Sequence, residues 1–205
     1  KAESLDALIA EAQEVVRHEA QAVEALLSQF DESLGCVLSL LLDCEGHVLV
    51  IGAGTSHAIA QRFAHLLACC GIPAICLSAA DGIHGGSGAV TSRDVVFAIS
   101  KGGQSDEINR FVDIARRRDA KVVAQTEAPD SRLAQMADAV FEVTVEGDVD
   151  PYGMIATGSS LVAAAAGDAL CVLLLKLSGY TLGDFGMTHP GGAVGRGLAA
   201  DDRDD

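Results

Sequence analysis

Three stretches of this 205-residue chain place chemistry-bearing side chains where a backbone can present them. The first reads Asp184-Phe185-Gly186-Met187-Thr188-His189-Pro190-Gly191-Gly192. Pro190 fixes its own φ and biases His189 away from helix, while the Gly191-Gly192 pair opens conformations that residues with a Cβ avoid. An imidazole held in such a loop is presented rather than packed, and its pKa near neutrality suits it to moving protons. A capped turn with an incidental histidine accounts for the same residues equally well. The second stretch, Ser100-Lys101-Gly102-Gly103-Gln104-Ser105-Asp106-Glu107, sets hydroxyls, two glycines and a lysine ahead of a helical pattern. Backbone N–H groups at a helix N-terminus, two hydroxyls and one positive charge can surround a phosphate. Glu107 falls in the first helical turn, where the helix dipole favours a carboxylate with or without a chemical role. The third stretch, Gly52-Ala53-Gly54-Thr55-Ser56-His57, starts like a dinucleotide-binding glycine turn but has histidine where the third glycine would stand. A lone G-x-G is a weak signal of a ligand turn, and a mere tight turn is the alternative.

The elements that must position these turns alternate along the chain. An apolar run at 47–51 ends in the Gly52 turn, and helical spacing resumes over 58–70. Further runs at 74–77, 94–99, 121–125 and 139–143 are interleaved with helical patterns at 107–118 and 133–137. Five short β-branched runs alternating with helices describe an α/β fold, a doubly wound five-stranded parallel sheet covered on both faces. Ligands of such sheets bind beyond the carboxyl ends of the strands, where the turns converge. Upstream, Leu5, Leu8, Ile9, Ala12, Val15, Val16, Ala22, Val23 and Leu26 form one stripe of a long amphipathic helix over 5–30, followed by a second helix over 33–44. The expected organisation is a helical segment over 1–44 that packs on the core or on a neighbouring subunit, an α/β domain over 45–198 closed by an apolar helix at 158–178, and an acidic tail over 199–205.

Composition narrows the partners. With 14 Lys plus Arg against 29 Asp plus Glu, the formal net charge of −15 disfavours nucleic acid and anionic lipid. An anionic ligand would need local donors to overcome this field, which raises the value of the glycine turns. The six cysteines include no C-x-x-C pair and no zinc-type spacing, so they read as reduced, buried thiols of a cytoplasmic protein with no bound metal. The acidic N-terminus lacks the pattern of a signal peptide. Lys176 and Asp168 interrupt the longest apolar run, so no bilayer-spanning segment is expected.

Taken in order, G-x-G-x-S after the first strand, His84-Gly85-Gly86, S-x-x-G-x-S-x-E after the third strand, and Asp184-Phe185 through Pro190-Gly191-Gly192 resemble the sugar isomerase (SIS) domain family, most closely its arabinose 5-phosphate isomerase branch. Gly71-Ile72-Pro73 and Ala166-Gly167-Asp168-Ala169-Leu170 fit the same pattern, and the similarity runs over about residues 45–198. The resemblance implies a flavodoxin-like sandwich binding a phosphorylated sugar across the strand ends, in a homotetramer whose sites take residues from neighbouring subunits. Those isomerases usually append paired CBS modules, and with the sequence ending at Asp205 the expectation is the single-domain form. Carried over by position, Ser56, Ser100 and Ser105 hold the phosphate, helped by Gly54, Thr55, His57, Lys101, Gly102, Gly103 and Gln104. Glu107, Asp148 and His189 take the proton-transfer and hydroxyl-orienting places, with His84 beside them. Thr55 stands where the family has lysine, His57 where it has glycine, Gly102 where it has serine, Asp148 where it has glutamate and Gly86 where it has aspartate. Lys101 either replaces the charge missing at Thr55 or is a surface lysine beside a turn. The implied reaction, aldose–ketose isomerisation by proton transfer through an enediolate, needs no cofactor. The alternatives are a noncatalytic phosphosugar-binding module and a phosphosugar hydrolase or lyase.

Overall fold

A computed structural model describes residues 4–191 of the chain. The apolar runs form strands β1 (Val48–Gly52), β2 (Ala74–Ser78), β3 (Val95–Ile99), β4 (Lys121–Thr126) and β5 (Ala139–Glu142). All pairings are parallel, in the order β2-β1-β3-β4-β5. The main helices are α1 (Leu5–Glu24), α2 (Ser33–Leu42), α3 (Thr55–Cys69), α4 (Ala79–Gly82), α5 (Asp106–Arg117), α6 (Arg132–Met136), α7 (Gly158–Ser178) and α8 (Leu182–Thr188). Because side chains alternate along a strand, β1, β3 and β4 feed two cores. Val48, Val50, Phe97 and Val123 pack with residues of α2, α3 and α7, whereas Leu49, Ile51, Val96 and Val122 pack with residues of α5 and α6. Every residue of β1 and β3 is buried, which is why these runs read as continuously apolar.

One buried carboxylate ties the entry ends of the central strands together. Asp94 is 5% exposed; Oδ1 accepts the His47 N–H at 2.8 Å, and Oδ2 accepts the Thr91 N–H at 2.7 Å and the Thr91 hydroxyl at 2.9 Å. Burial pushes its carboxyl upward, but the N–H groups of His47 and Thr91 and the Thr91 hydroxyl outweigh this and hold it below the ordinary value. A carboxyl depressed on folding stabilises above its unfolded pKa and loses that contribution as pH falls through the folded one. Asp94→Ala is therefore expected to cost ~2–4 kcal/mol at neutral pH, since three charge-assisted bonds go and buried donors lose their partner. Urea unfolding should show parent and variant converging as the pH falls below the ordinary carboxylate range. A gap that stays constant with pH would contradict this account.

The fold departs from the sequence reading at several points. The N-terminal helix is not continuous over 5–30: α1 gives way to a 3-10 turn at Ala25–Ser28, and this arm meets α2 at 91°. Asp31 accepts the Ser33 N–H at 2.8 Å and so starts α2. Most of the α1 stripe lies outside the core, with Leu5 72% and Val16 65% exposed. Residues 184–188 are helix rather than loop, because Thr181 and Asp184 form a capping box that nucleates α8. The 21-residue α7 is, by length and composition alone, apolar enough to cross a membrane, contrary to the expectation for this run. Nine of its residues are nevertheless buried, and Asp168 at its middle pairs with Arg62 of α3 through contacts of 2.5 and 2.9 Å. All six thiols are free, but only Cys70 and Cys171 are buried and Cys36 is exposed. Burial pushes Cys171 up to about 12. The acidic tail lies outside the described residues.

Candidate functional site

The strand order reverses between β1 and β3, so the turns that follow them stand side by side at the carboxyl edge of the sheet. Gly52 and Gly54 shape the first turn. A Cβ at Gly52 would meet the Ser56 carbonyl at 2.5 Å, so only glycine lets the backbone turn this tightly into α3. Gly54 caps α3 at φ +54°, leaving Thr55 and Ser56 in its opening turn. His57 does not join them at the cleft: its Nδ1 lies 3.8 Å from Cys76 Sγ on the edge strand β2.

The second turn is clamped from beneath. Ser100 N–H donates to Gln125 O at 3.0 Å and Gly103 N–H to Ser100 O at 3.1 Å, while Gly103 O accepts from Leu133 N and from Asn109 Nδ2, both at 3.2 Å. Gly103 sits at φ +63° against the Ser131 hydroxyl, a place that admits no side chain. Gly102 and Gln104 face outward. The hydroxyls of Ser100 and Ser105 lie 3.5 Å apart. Ser105 occupies the N-cap of α5 without making the usual side-chain cap bond, so it leaves the first N–H groups of that helix to another acceptor. Two converging hydroxyls and uncapped helix donors are groups that can hold an anion. Glu107 follows in the first turn of α5, half-buried and with no side-chain hydrogen bond or ion pair among the described residues.

Beside this turn opens a pocket whose polar lining includes Thr55, Ser56, Lys101, Gln125, Glu127 and Ser159. Lys101 lines it from an exposed position, with its Nζ 3.2 Å from Asp150 Oδ2. Asp150 Oδ1 accepts the Ser159 N–H at 3.0 Å, in the first turn of α7. Burial pushes the Asp150 carboxyl up, but bonds from Ser159 and then Lys101 bring it below the ordinary carboxylate value. Asp150 was not foreseen in the sequence, where attention falls on Asp148, three residues before Pro151. Asp148-Val149-Asp150-Pro151 offers two carboxylates, and nothing in the sequence says which of them meets Lys101.

Three further residues lie apart from this cleft within one chain. Asp148 is exposed in an open groove against His18, Gln21 and Ala22 of α1. His84 is exposed on the loop after α4, a segment that packs against α5, and it does not line the pocket. His189 follows the last residue of α8. Its Nδ1 lies 3.0 Å from Phe185 O and its Nε2 3.4 Å from Cys69 Sγ, with the ring stacked on Phe185 at 3.7 Å. Cys69 ends α3 and Thr55 begins it, so their separation is about 20 Å at 1.5 Å per residue. The chain holds its own imidazole at the far pole of its sheet.

The SIS domain family model matches residues 41–173, a span that contains the glycine turn after β1 and the hydroxyl-rich turn after β3. The chain belongs to the SIS domain family. It is 34% identical over 187 residues to arabinose 5-phosphate isomerase KdsD of Pseudomonas aeruginosa, and 35% over 185 residues to that of Escherichia coli K12. These matches cover 91% and 90% of the chain but 57% and 56% of those proteins, so the chain spans little more than half the length of these curated relatives. Among solved structures, a Listeria monocytogenes protein superposes with a TM-score of 0.89 at 31% identity, covering 93% of this chain and all of that one. An E. coli CFT073 protein solved in complex with arabinose 5-phosphate superposes with a TM-score of 0.87 at 29% identity, over 92% of this SIS chain and 100% of that one.

Proposed function

We propose that this SIS domain is a phosphosugar aldose–ketose isomerase acting on arabinose 5-phosphate or a close relative of it. The observation that carries the reading is the turn after β3, where paired hydroxyls, uncapped helix donors and a half-buried carboxylate lie within eight residues, Ser100 to Glu107. The kinship with proteins named arabinose 5-phosphate isomerase supports the choice of sugar. In this reading Ser56, Ser100, Ser105 and the start of α5 bind the phosphate, and Lys101 exchanges Asp150 for it, supplying the cation that Thr55 lacks. Glu107 takes the proton from C2 of the open-chain aldose as the C1 oxygen gains one, giving an enediol. Loss of the O2 proton and return of a proton to C1 complete the ketose. His189 of a neighbouring subunit moves the proton between the two oxygens, while Asp148 orients hydroxyls and His84 stands beside them. The exposed apolar residues of α1 and α7 support a homotetramer.

Incubation with pentose and hexose phosphates, followed for ketose formation and solvent deuterium uptake, tests the reading. Ketose carrying deuterium supports it. Binding without turnover would make the chain a binding module, and release of phosphate a hydrolase or lyase. Replacing Ser100 and Ser105 together with alanine should weaken phosphosugar binding on the order of a hundredfold, since two bonds to a charged group are lost. Ser100 is buried and Ser105 half-buried, but among the described residues the partner of each hydroxyl is the other, so the thermal midpoint should move little. Unchanged affinity would remove phosphate from this turn.

A further inference from the structure

Gln125 puts an amide where the sheet is otherwise apolar. Val123 of the same strand face packs into the core beneath α7, and Gln125, two residues on, is 2% exposed. Its Nε2 donates to Ala163 O of α7 at 3.0 Å. That bond sets the amide's orientation, because the flipped form would oppose two oxygens. Gln125 lines the pocket, and its buried Oε1 has no hydrogen-bond partner among the described residues. The other buried side-chain oxygen in this condition, Asn109 Oδ1, does not line it. An unpaired buried acceptor is costly, so a neighbouring group should donate to it.

The pocket thus carries two opposite kinds of group. Lys101, Ser56 and Thr55 in its lining, with the Ser100 turn beside it, offer donors and a positive charge, as an anion requires. Gln125 Oε1 offers only lone pairs and repels an anion, and the Glu127 carboxylate is a second acceptor in the lining. We infer that Gln125 is a specificity-determining residue that accepts a hydrogen bond from one sugar hydroxyl of the bound phosphosugar. This rests on the phosphosugar reading above and adds to it the group that distinguishes a hydroxylated carbon from a deoxygenated one. A site built around a substrate hydroxyl discriminates strongly against the analogue lacking it, because the buried acceptor is then left unpaired.

The experiment measures equilibrium binding of inorganic phosphate, arabinose 5-phosphate and its monodeoxy analogues to the parent protein and to Gln125→Met, with circular dichroism as the check on folding. Gln125→Leu is the second variant should methionine not fold. The expected result is an unchanged phosphate Kd, roughly tenfold weaker arabinose 5-phosphate binding, and one monodeoxy analogue that parent and variant bind alike. Equal weakening for phosphate and every sugar would make Gln125 merely the tie between β4 and α7 and overturn the inference. So would undiminished arabinose 5-phosphate binding by the variant, which would mean that water satisfies Oε1. A parent protein that binds the sugar phosphate no more tightly than phosphate would overturn the phosphosugar reading as well, an outcome distinct from the other two.

Discussion

Glu107→Gln is expected to bind arabinose 5-phosphate as the parent does and to isomerise it on the order of 10²- to 10⁴-fold more slowly, the usual contribution of a general base. Gln keeps the size and hydrogen-bonding reach of Glu but cannot take a proton from carbon. Glu107 stands two residues after the N-cap Ser105, half-buried, with no partner of its own to lose, so the fold should be indifferent to the change. The helix dipole also favours a carboxylate here for purely structural reasons, worth ~0.3–1 kcal/mol. Kinetics separate the two roles: capping alone predicts a slightly less stable protein with parental turnover, whereas catalysis predicts a folded protein that has lost it. Deuterium exchange at C2 is the more direct readout, because it reports proton abstraction even when ketose release limits the rate. Parental exchange in Glu107→Gln would remove this residue from the reaction.

Much of the architecture was legible because its signals are local. The runs in β1 and β3 are apolar at every position, since both faces are covered, and glycines mark the turns that leave them. The Ser100 turn could be read as an anion site because hydroxyls, glycines and a helix start are all local in sequence. What was not legible depends on contacts between distant segments. Nothing in the sequence around Asp150 says that it, rather than Asp148, meets Lys101; that follows from the Ser159 N–H drawing the loop against α7. Gln125 reads as a polar end to a strand, and only the packing of Ala163 above it turns the residue into a buried acceptor. The break after α1 was missed because its apolar stripe continues through Leu26 while the backbone tightens at Ala25–Ser28. His189 was read as aimed at a ligand, yet within its own chain it rests on Cys69 and Phe185.

That placement of His189 leads to the second large effect. In one chain the imidazole sits by the last residue of α3 and the Thr55 turn by the first, about 20 Å apart at 1.5 Å per residue, beyond the reach of any side chain. If His189 takes part in proton transfer, it must do so in the cleft of another copy. Leu5, Leu8 and Val16 of α1 and Val172 and Leu177 of α7 supply exposed apolar surface on which copies can assemble. His189→Asn should therefore lose turnover by about 10²–10⁴-fold while retaining phosphosugar binding, as Glu107→Gln does. The two inactive proteins should also rescue one another. When they are co-expressed in equal amounts, random assembly gives roughly a quarter of the sites an intact Glu107 from one protomer and an intact His189 from the other. Activity near a quarter of the parental level per site is expected from the mixed oligomer, and none from either variant alone. Sites built within a single chain cannot be rescued in this way, because each chain already carries one defect. Mixed oligomers that stay as inactive as their parents would confine the chemistry to one chain and remove His189 from it.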